Sequence, residues 1–128
     1  MKKNRILADT SVWIEFFRPE SRTGSKLESL ITANAVWTCG LVMFELLQGV
    51  KSADEKEVAL NALSGLTYIE MSKKSWQSAA VLSATLKKKG LTLPLSDIFI
   101  AALAIEHDLH IFTLDKHFTQ IPGVKLHQ

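Results

Sequence analysis

Ile6-Leu7-Ala8-Asp9-Thr10-Ser11-Val12-Trp13-Ile14-Glu15-Phe16-Phe17 is the stretch whose reading decides the fold. Three apolar residues, too few for a helix turn to bury, stop at a carboxylate. From residue 11 to 17 apolar side chains fall on most sides of a helix, and Pro19 ends it because proline lacks the N–H that the next turn needs. A short strand that ends on Asp9 and turns straight into a helix is the opening half of a strand–helix unit. The same grammar returns late in the chain, where His110-Ile111-Phe112-Thr113 reads as a strand that delivers Asp115.

Between these two units the alternation continues. Ser25-Lys26-Leu27-Glu28 has the capping-box pattern, which predicts a second helix running to about Ala33. Val36-Trp37-Thr38 is β-prone, and residues 41–48 form an apolar helix with Gly49 as its C-cap. Ser52-Ala53-Asp54-Glu55 is a further capping box that opens another helix, and residues 66–69 are β-like. A long helix spans 73–89, where Lys87-Lys88-Lys89 complements the dipole and Gly90 marks the stop. Residues 96–107, entered after Pro94, are apolar all round in their interior, which predicts a central and fully buried helix. A short helical turn and a strand near 124–126 close the chain. Strands alternating with helices predict an α/β fold with a parallel sheet covered on both faces. Ligands bind beyond the carboxyl ends of such strands, so acids placed just after strands carry weight.

Composition narrows the function classes. The 128 residues fit one domain, 47% are hydrophobic and 22% charged, so a core is affordable and disorder is excluded. Net charge is +2, from 15 basic and 13 acidic groups, too mild by itself to signal a nucleic-acid binder. Cys39 is the single cysteine, so the fold rests on no internal disulfide, and its Thr38 and Gly40 flanks read as a strand end with a small buried residue. A reducing cytoplasm is the simplest setting. The start Met1-Lys2-Lys3-Asn4-Arg5 is basic like the head of a signal peptide, but Asp9 and Glu15 interrupt the apolar segment that would follow. The longest apolar run, residues 98–105, is too short to span a membrane.

Four acids form the candidate site. Asp9 and Asp115 each follow a strand, Asp97 opens the apolar helix, and Glu45 sits inside Met43-Phe44-Glu45-Leu46-Leu47. An ionised Glu in that setting is costly to bury without a partner. Mg²⁺ or Mn²⁺ would be such a partner, since these hard cations take oxygen ligands and relieve repulsion among clustered carboxylates. Each acid also has a plainer reading. Asp9 can cap the helix that follows, Asp97 can complement its helix dipole, Asp115 can be a turn residue, and Glu45 can face solvent.

Residues 6–14 resemble the opening motif of PIN-domain nucleases, especially the VapC-type toxins. The resemblance continues through Glu45-Leu46-Leu47-Gln48-Gly49 and Leu95-Ser96-Asp97-Ile98-Phe99-Ile100-Ala101-Ala102 to Thr113-Leu114-Asp115, in the family's order. Phe99 is bulky for its place in the signature after Asp97. The resemblance implies a PIN-like three-layer α/β/α fold with about five mostly parallel strands, formed by residues 1–128 as one domain. It implies a divalent cation, Mg²⁺ or Mn²⁺, held by Asp9, Asp97 and Asp115, with Glu45 completing the pocket directly or through water. It implies hydrolysis of RNA phosphodiesters, a tRNA or ribosomal RNA target, a homodimer and a VapB-type antitoxin. Thr10, Ser11 and Thr113 offer hydroxyls that can orient ligands or waters.

Arg18, Arg22, Lys26, Lys51 and Lys116 are candidates to track an RNA backbone, or else ordinary solvated surface. His107 and His110 straddle a helix end and a strand start, which argues against a shared zinc site. Trp13, Trp37 and Trp76 read as core or interface anchors. Phe16 and Phe17 make the first helix apolar enough for a partner to cover part of it. Three other functions remain open: RNA maturation without an antitoxin, a phospho-acceptor signalling module, and an inactive PIN fold kept for binding. The second wants paired acids after the first strand, where this chain has Thr10-Ser11 after Asp9.

Overall fold

The structure is a computed structural model and describes residues 5–128, so the basic start at residues 1–4 lies outside the described part. Five strands, β1 (Ile6–Ala8), β2 (Val36–Cys39), β3 (Thr67–Ile69), β4 (His110–Phe112) and β5 (Lys125–Leu126), form one sheet in the order β3-β2-β1-β4-β5. Every pairing is parallel, with Leu7 opposite Trp37 on one side and Ile111 on the other. The central strand β1 is buried at all three positions, as an apolar run between two neighbours must be. The edge strand β3 exposes Thr67 and Tyr68 and buries only Ile69.

Parallel strands need long crossovers, and helices supply them. α1 (Thr10–Phe16) and α2 (Arg22–Thr32) link β1 to β2, and α3 (Gly40–Gly49) and α4 (Ala53–Ser64) link β2 to β3. α5 (Lys73–Lys88) and α6 (Leu95–His107) then return the chain to β4, on the other side of β1. α1 packs on α2 and α3, α3 on α4, and α5 on α6. The chain therefore winds outward from β1 in one direction and restarts from β1 in the other. That reversal opens a crevice between the carboxyl ends of β1 and β4, where Asp9 and Asp115 emerge.

Three expectations need correction. The second helix starts at Arg22 with Ser21 as its cap, not at the Ser25 box. Ser21 Oγ accepts from Gly24 N at 3.0 Å and donates to Glu15 Oε1 at 2.7 Å, so the carboxylate that completes the cap comes from α1 and not from three residues downstream. Gly49 is the last helical residue of α3 and not its C-cap, and Val50 leaves in an extended conformation. α6 is buried from Ile98 to Ala104, yet Leu95 and Ile105 near its ends are 67% and 43% exposed, because the helix outruns the layer that covers it.

Other local signals match. Ser52 caps α4 by accepting from Glu55 N at 3.1 Å, although the Glu55 carboxylate reaches Lys51 N (2.9 Å) and not the cap residue. Gly90 takes the left-handed φ of 82° just beyond α5. Trp13 and Cys39 are fully buried, whereas Trp37 is half-buried and Trp76 is 53% exposed with its ring against Phe99. The rings of Trp13 and Phe16, and of Phe16 and Phe17, make edge contacts at 5.4 Å, which binds much of that apolar helix surface internally. His107 lies at the amino-terminal end of the strands, beside Trp37 and away from the acids. Among the described residues no helix is long and apolar enough to cross a membrane.

Gly24 is where α2 meets α1. A Cβ there would stand 2.3 Å from Glu15 O and 2.9 Å from Glu15 C, both backbone atoms that cannot swing aside. Gly24→Ala is expected to destabilise the protein by about 2 kcal/mol or more. Gly65→Ala, which meets nothing within 4 Å, should change stability little. Urea denaturation of the two variants compares them directly.

Candidate metal centre

The crevice between β1 and β4 collects the four acids. Asp9 ends β1 and caps α1, its Oδ1 accepting from Val12 N at 3.3 Å. The same Oδ1 accepts from Ser11 Oγ at 2.5 Å, and Oδ2 accepts from Thr113 Oγ1 at 2.5 Å. Asp9 is 5% exposed, and burial pushes its carboxyl above the usual carboxylate range against the pull of these donors. Ser11 and Thr113 also bind the chain after β4: Leu114 N donates to Ser11 Oγ (3.0 Å) and Asp115 N to Thr113 Oγ1 (2.9 Å). These two hydroxyls thus fix Asp9 and the approach to Asp115 together.

Thr10 Oγ1 donates to Glu45 Oε1 at 2.8 Å, so α1 orients the acid presented by α3. Glu45 is half-buried. Asp97, in the first turn of α6, has no capping role: Pro94 holds the cap position and no side chain bonds there. Its Oδ2 instead lies 3.1 Å from His117 Nδ1. Burial raises the Asp97 carboxyl, and Asp115 and Glu45 push it further up while His117 pulls it down. Asp97 in turn adds to the upward shift of Asp9. The four acids therefore share one electrostatic site.

Asp115 Oδ1 accepts from His117 N at 2.9 Å and caps a 3₁₀ turn over Lys116–Gln120. His117 is the neighbour that sequence reasoning passed over. Its signal is slight, a histidine two residues beyond Asp115, and only the tight turn folds the ring back to Asp97. The hydrogen bond to Asp97 raises the His117 imidazole above its ordinary value, with Asp115 adding to the effect.

The basic candidates divide. Arg18 pairs with Glu15 at 2.6 Å. Lys51 lines a groove of about 460 Å³ that runs from Thr10 and Glu45 past Ile14, Phe17 and Leu46. Lys116 lines a smaller hollow beside Asp115, Thr113 and His127. Lys26 bonds Gln128 O at 3.2 Å, on the far side of that hollow, and Arg22 is exposed at the start of α2.

The PIN domain profile matches residues 6–124 of this chain. The chain belongs to the PIN-domain family. Ribonuclease VapC4 of Mycobacterium tuberculosis is 30% identical over 98% of each chain. Among solved structures, the VapBC2 complex of Rickettsia felis bound to a promoter DNA fragment superimposes with a TM-score of 0.80 at 25% identity, covering 95% of this chain and 96% of that one. A toxin–antitoxin complex from Klebsiella pneumoniae gives 0.76 at 27% identity, over 93% and 94%.

The donor set of this PIN domain suits a divalent cation. Among the described residues, Asp97, Asp115 and His117 offer ligand atoms all within 4.8 Å of one another, and Asp9 and Glu45 add oxygens held by hydroxyl donors. Hard cations such as Mg²⁺ and Mn²⁺ take oxygen ligands of this kind.

A raised carboxyl or imidazole pKa means that the metal-free fold holds its proton more tightly than the unfolded chain. That stability is present below the unfolded pKa and fades as pH rises through the folded one. Asp9 and Asp97 act from the ordinary carboxylate value of 3.8 upward. The exposed His117 acts above 6.5, where solvent screens it. The melting temperature of the metal-free protein is expected to fall as pH rises across these windows, and added Mn²⁺ to restore it increasingly. Asp97→Asn should flatten both trends in a thermal-shift series run with EDTA and with Mn²⁺.

Removing the Thr113 hydroxyl strips Asp9 Oδ2 of its donor and Asp115 N of its acceptor. Thr113→Val is expected to cost about 1–3 kcal/mol, measured by denaturant unfolding, whereas Thr113→Ser should recover most of it.

Proposed function

We propose that this protein is a metal-dependent endoribonuclease and the toxin of a VapBC-type pair, formed by residues 1–128 as one domain. The carrying observation is the convergence of Asp9, Glu45, Asp97 and Asp115 at the switch point of the sheet, in a chain similar to ribonuclease VapC4. Asp9, Asp97 and Asp115 are assigned as the residues that hold Mg²⁺ or Mn²⁺, with Glu45 completing the pocket. A bound ion of this kind lowers the pKa of water, aligns it with the phosphorus and neutralises charge on the phosphoryl oxygens. The protein's part is positioning. Ser11 and Thr113 keep Asp9 in one rotamer, Thr10 aims Glu45, and the 3₁₀ turn fixes Asp115. Lys51 and Lys116 flank the acids on opposite sides and are assigned, with Arg18 and Arg22, to the RNA backbone.

The similarity to toxin–antitoxin complexes supports a VapB-type antitoxin as partner. The groove beside Glu45, apolar at Ile14, Phe17, Leu46 and Val50, is assigned to a segment of that antitoxin. A homodimer fits the exposed apolar residues Trp76 and Val81 on α5. The substrate class is a structured RNA, tRNA or ribosomal RNA, met in the cytoplasm. A phospho-acceptor role is disfavoured because Asp9 is followed by Thr10-Ser11 and β3 runs into Glu70-Met71-Ser72, so neither paired acids nor an acceptor Asp follow those strands.

Purified protein is expected to cut RNA from its host when Mg²⁺ or Mn²⁺ is present, resolved by gel electrophoresis of the products. EDTA and Asp9→Asn should each abolish cutting. Cleavage that survives either control sinks the site assignment, and no cleavage of any host RNA sinks the nuclease reading.

A further inference from the structure

His117 holds a position that carboxylate chemistry alone does not require. Its Nδ1 lies 3.1 Å from Asp97 Oδ2 and 3.1 Å from Asp115 Oδ1. One N–H can point well at only one acceptor, so a single hydrogen bond accounts for one of the two distances. The cap from His117 N to Asp115 Oδ1 holds the ring beside the second acid, and the two distances together also suit ligands of one cation. Ligands in adjacent positions of an octahedral ion at about 2.1 Å stand about 3.0 Å apart.

The ring is also built into place. His117 N is tied to Asp115 Oδ1 at 2.9 Å, and the next residue, Phe118, is 1% exposed in the core. The turn therefore sets the backbone of His117, while its side chain stays 45% exposed. A cation bound there would take the place of the proton that Nδ1 shares with Asp97, while Nε2 can hydrogen-bond solvent.

We propose that His117 Nδ1 is a cation ligand beside Asp97 and Asp115, giving a mixed carboxylate–imidazole set that favours Mn²⁺ over Mg²⁺. This rests on the metal-site reading above and names an additional ligand within it. Both ions take carboxylate oxygens, but Mn²⁺, as a first-row transition ion, accepts an imidazole nitrogen more readily than Mg²⁺, which keeps to oxygen ligands and waters. A site with this nitrogen donor therefore gains Mn²⁺ affinity that the acids alone would not supply.

The test uses the full chain loaded with Mn²⁺. Electron spin echo envelope modulation reports nitrogen bound to Mn²⁺, and ¹⁵N-histidine labelling shows whether that nitrogen is imidazole. The wild type is expected to show a coupling that shifts with the label and vanishes in both His117→Ala and His117→Asn. Calorimetry should find Mn²⁺ binding weakened about tenfold or more in these variants and Mg²⁺ binding by less than about threefold. The metal-free melting curves of both variants check that the fold is kept. Mn²⁺ bound without histidine coupling, or coupling that persists in His117→Ala, overturns the proposal. Equal losses for both ions overturn the preference. If Asp97→Asn abolishes Mn²⁺ binding in those cases, the metal site stands without His117. If the wild type binds no Mn²⁺ at all, both readings fall.

Discussion

The Asp9 carboxylate receives hydrogen bonds from Val12 N, Ser11 Oγ and Thr113 Oγ1 while only 5% of the residue is exposed. These partners come from α1 and from the chain just after β4, so one side chain fastens the central strand to the first helix and to its neighbour strand. Burying a carboxylate is costly, and each hydrogen bond to a charged group returns about 1.5–3 kcal/mol. The balance still leaves the Asp9 carboxyl shifted upward. A cation is the natural remedy, and the other acids stand where they would share it. The crevice thus gathers buried and mutually repelling carboxylates that a bound cation would relieve.

Readings that compete in the sequence coexist in the structure. Asp9 is both a helix cap and a site carboxylate, and Asp115 both caps the 3₁₀ turn and faces the cluster. At Asp9 the cap and Ser11 use Oδ1 and Thr113 uses one site of Oδ2, which leaves a lone pair on Oδ2. The plain role also serves the functional one, because a capped carboxylate has a fixed rotamer. Asp97 is the exception, since its partner is His117 and not a helix N–H.

The opposite end of the sheet is held by different physics. Arg5 donates to His107 O at 2.6 Å, at the carboxyl end of α6, where a cation meets the negative end of the helix dipole. The same guanidinium lies 4.8 Å over the Trp37 ring, joining α6 to β1 and β2. With α6 anchored at His107, its first turn presents Asp97 at the other end. The site is therefore positioned from both ends of one buried helix.

The sequence by itself determined the alternation of strands and helices and the parallel sheet, and it singled out four acids as candidates. The elements follow from short-range rules, apolar period and Gly90 at a helix stop, and the acids from their places: Asp9 and Asp115 after strands, Asp97 opening an apolar helix and Glu45 inside one. It missed where α2 begins, because the partner of Ser21 is Glu15 on another helix and no local spacing encodes that contact. It treated residues 96–107 as fully buried, whereas burial at Ile105 depends on how far the covering layer extends. Only the tertiary structure decided that Thr10, Ser11 and Thr113 bind site carboxylates, and that His117 reaches Asp97 across 20 residues of chain. Hydrogen bonds of that kind are set by the meeting of elements distant in sequence. A hydroxyl or imidazole carries no mark in the sequence of which carboxylate it will face.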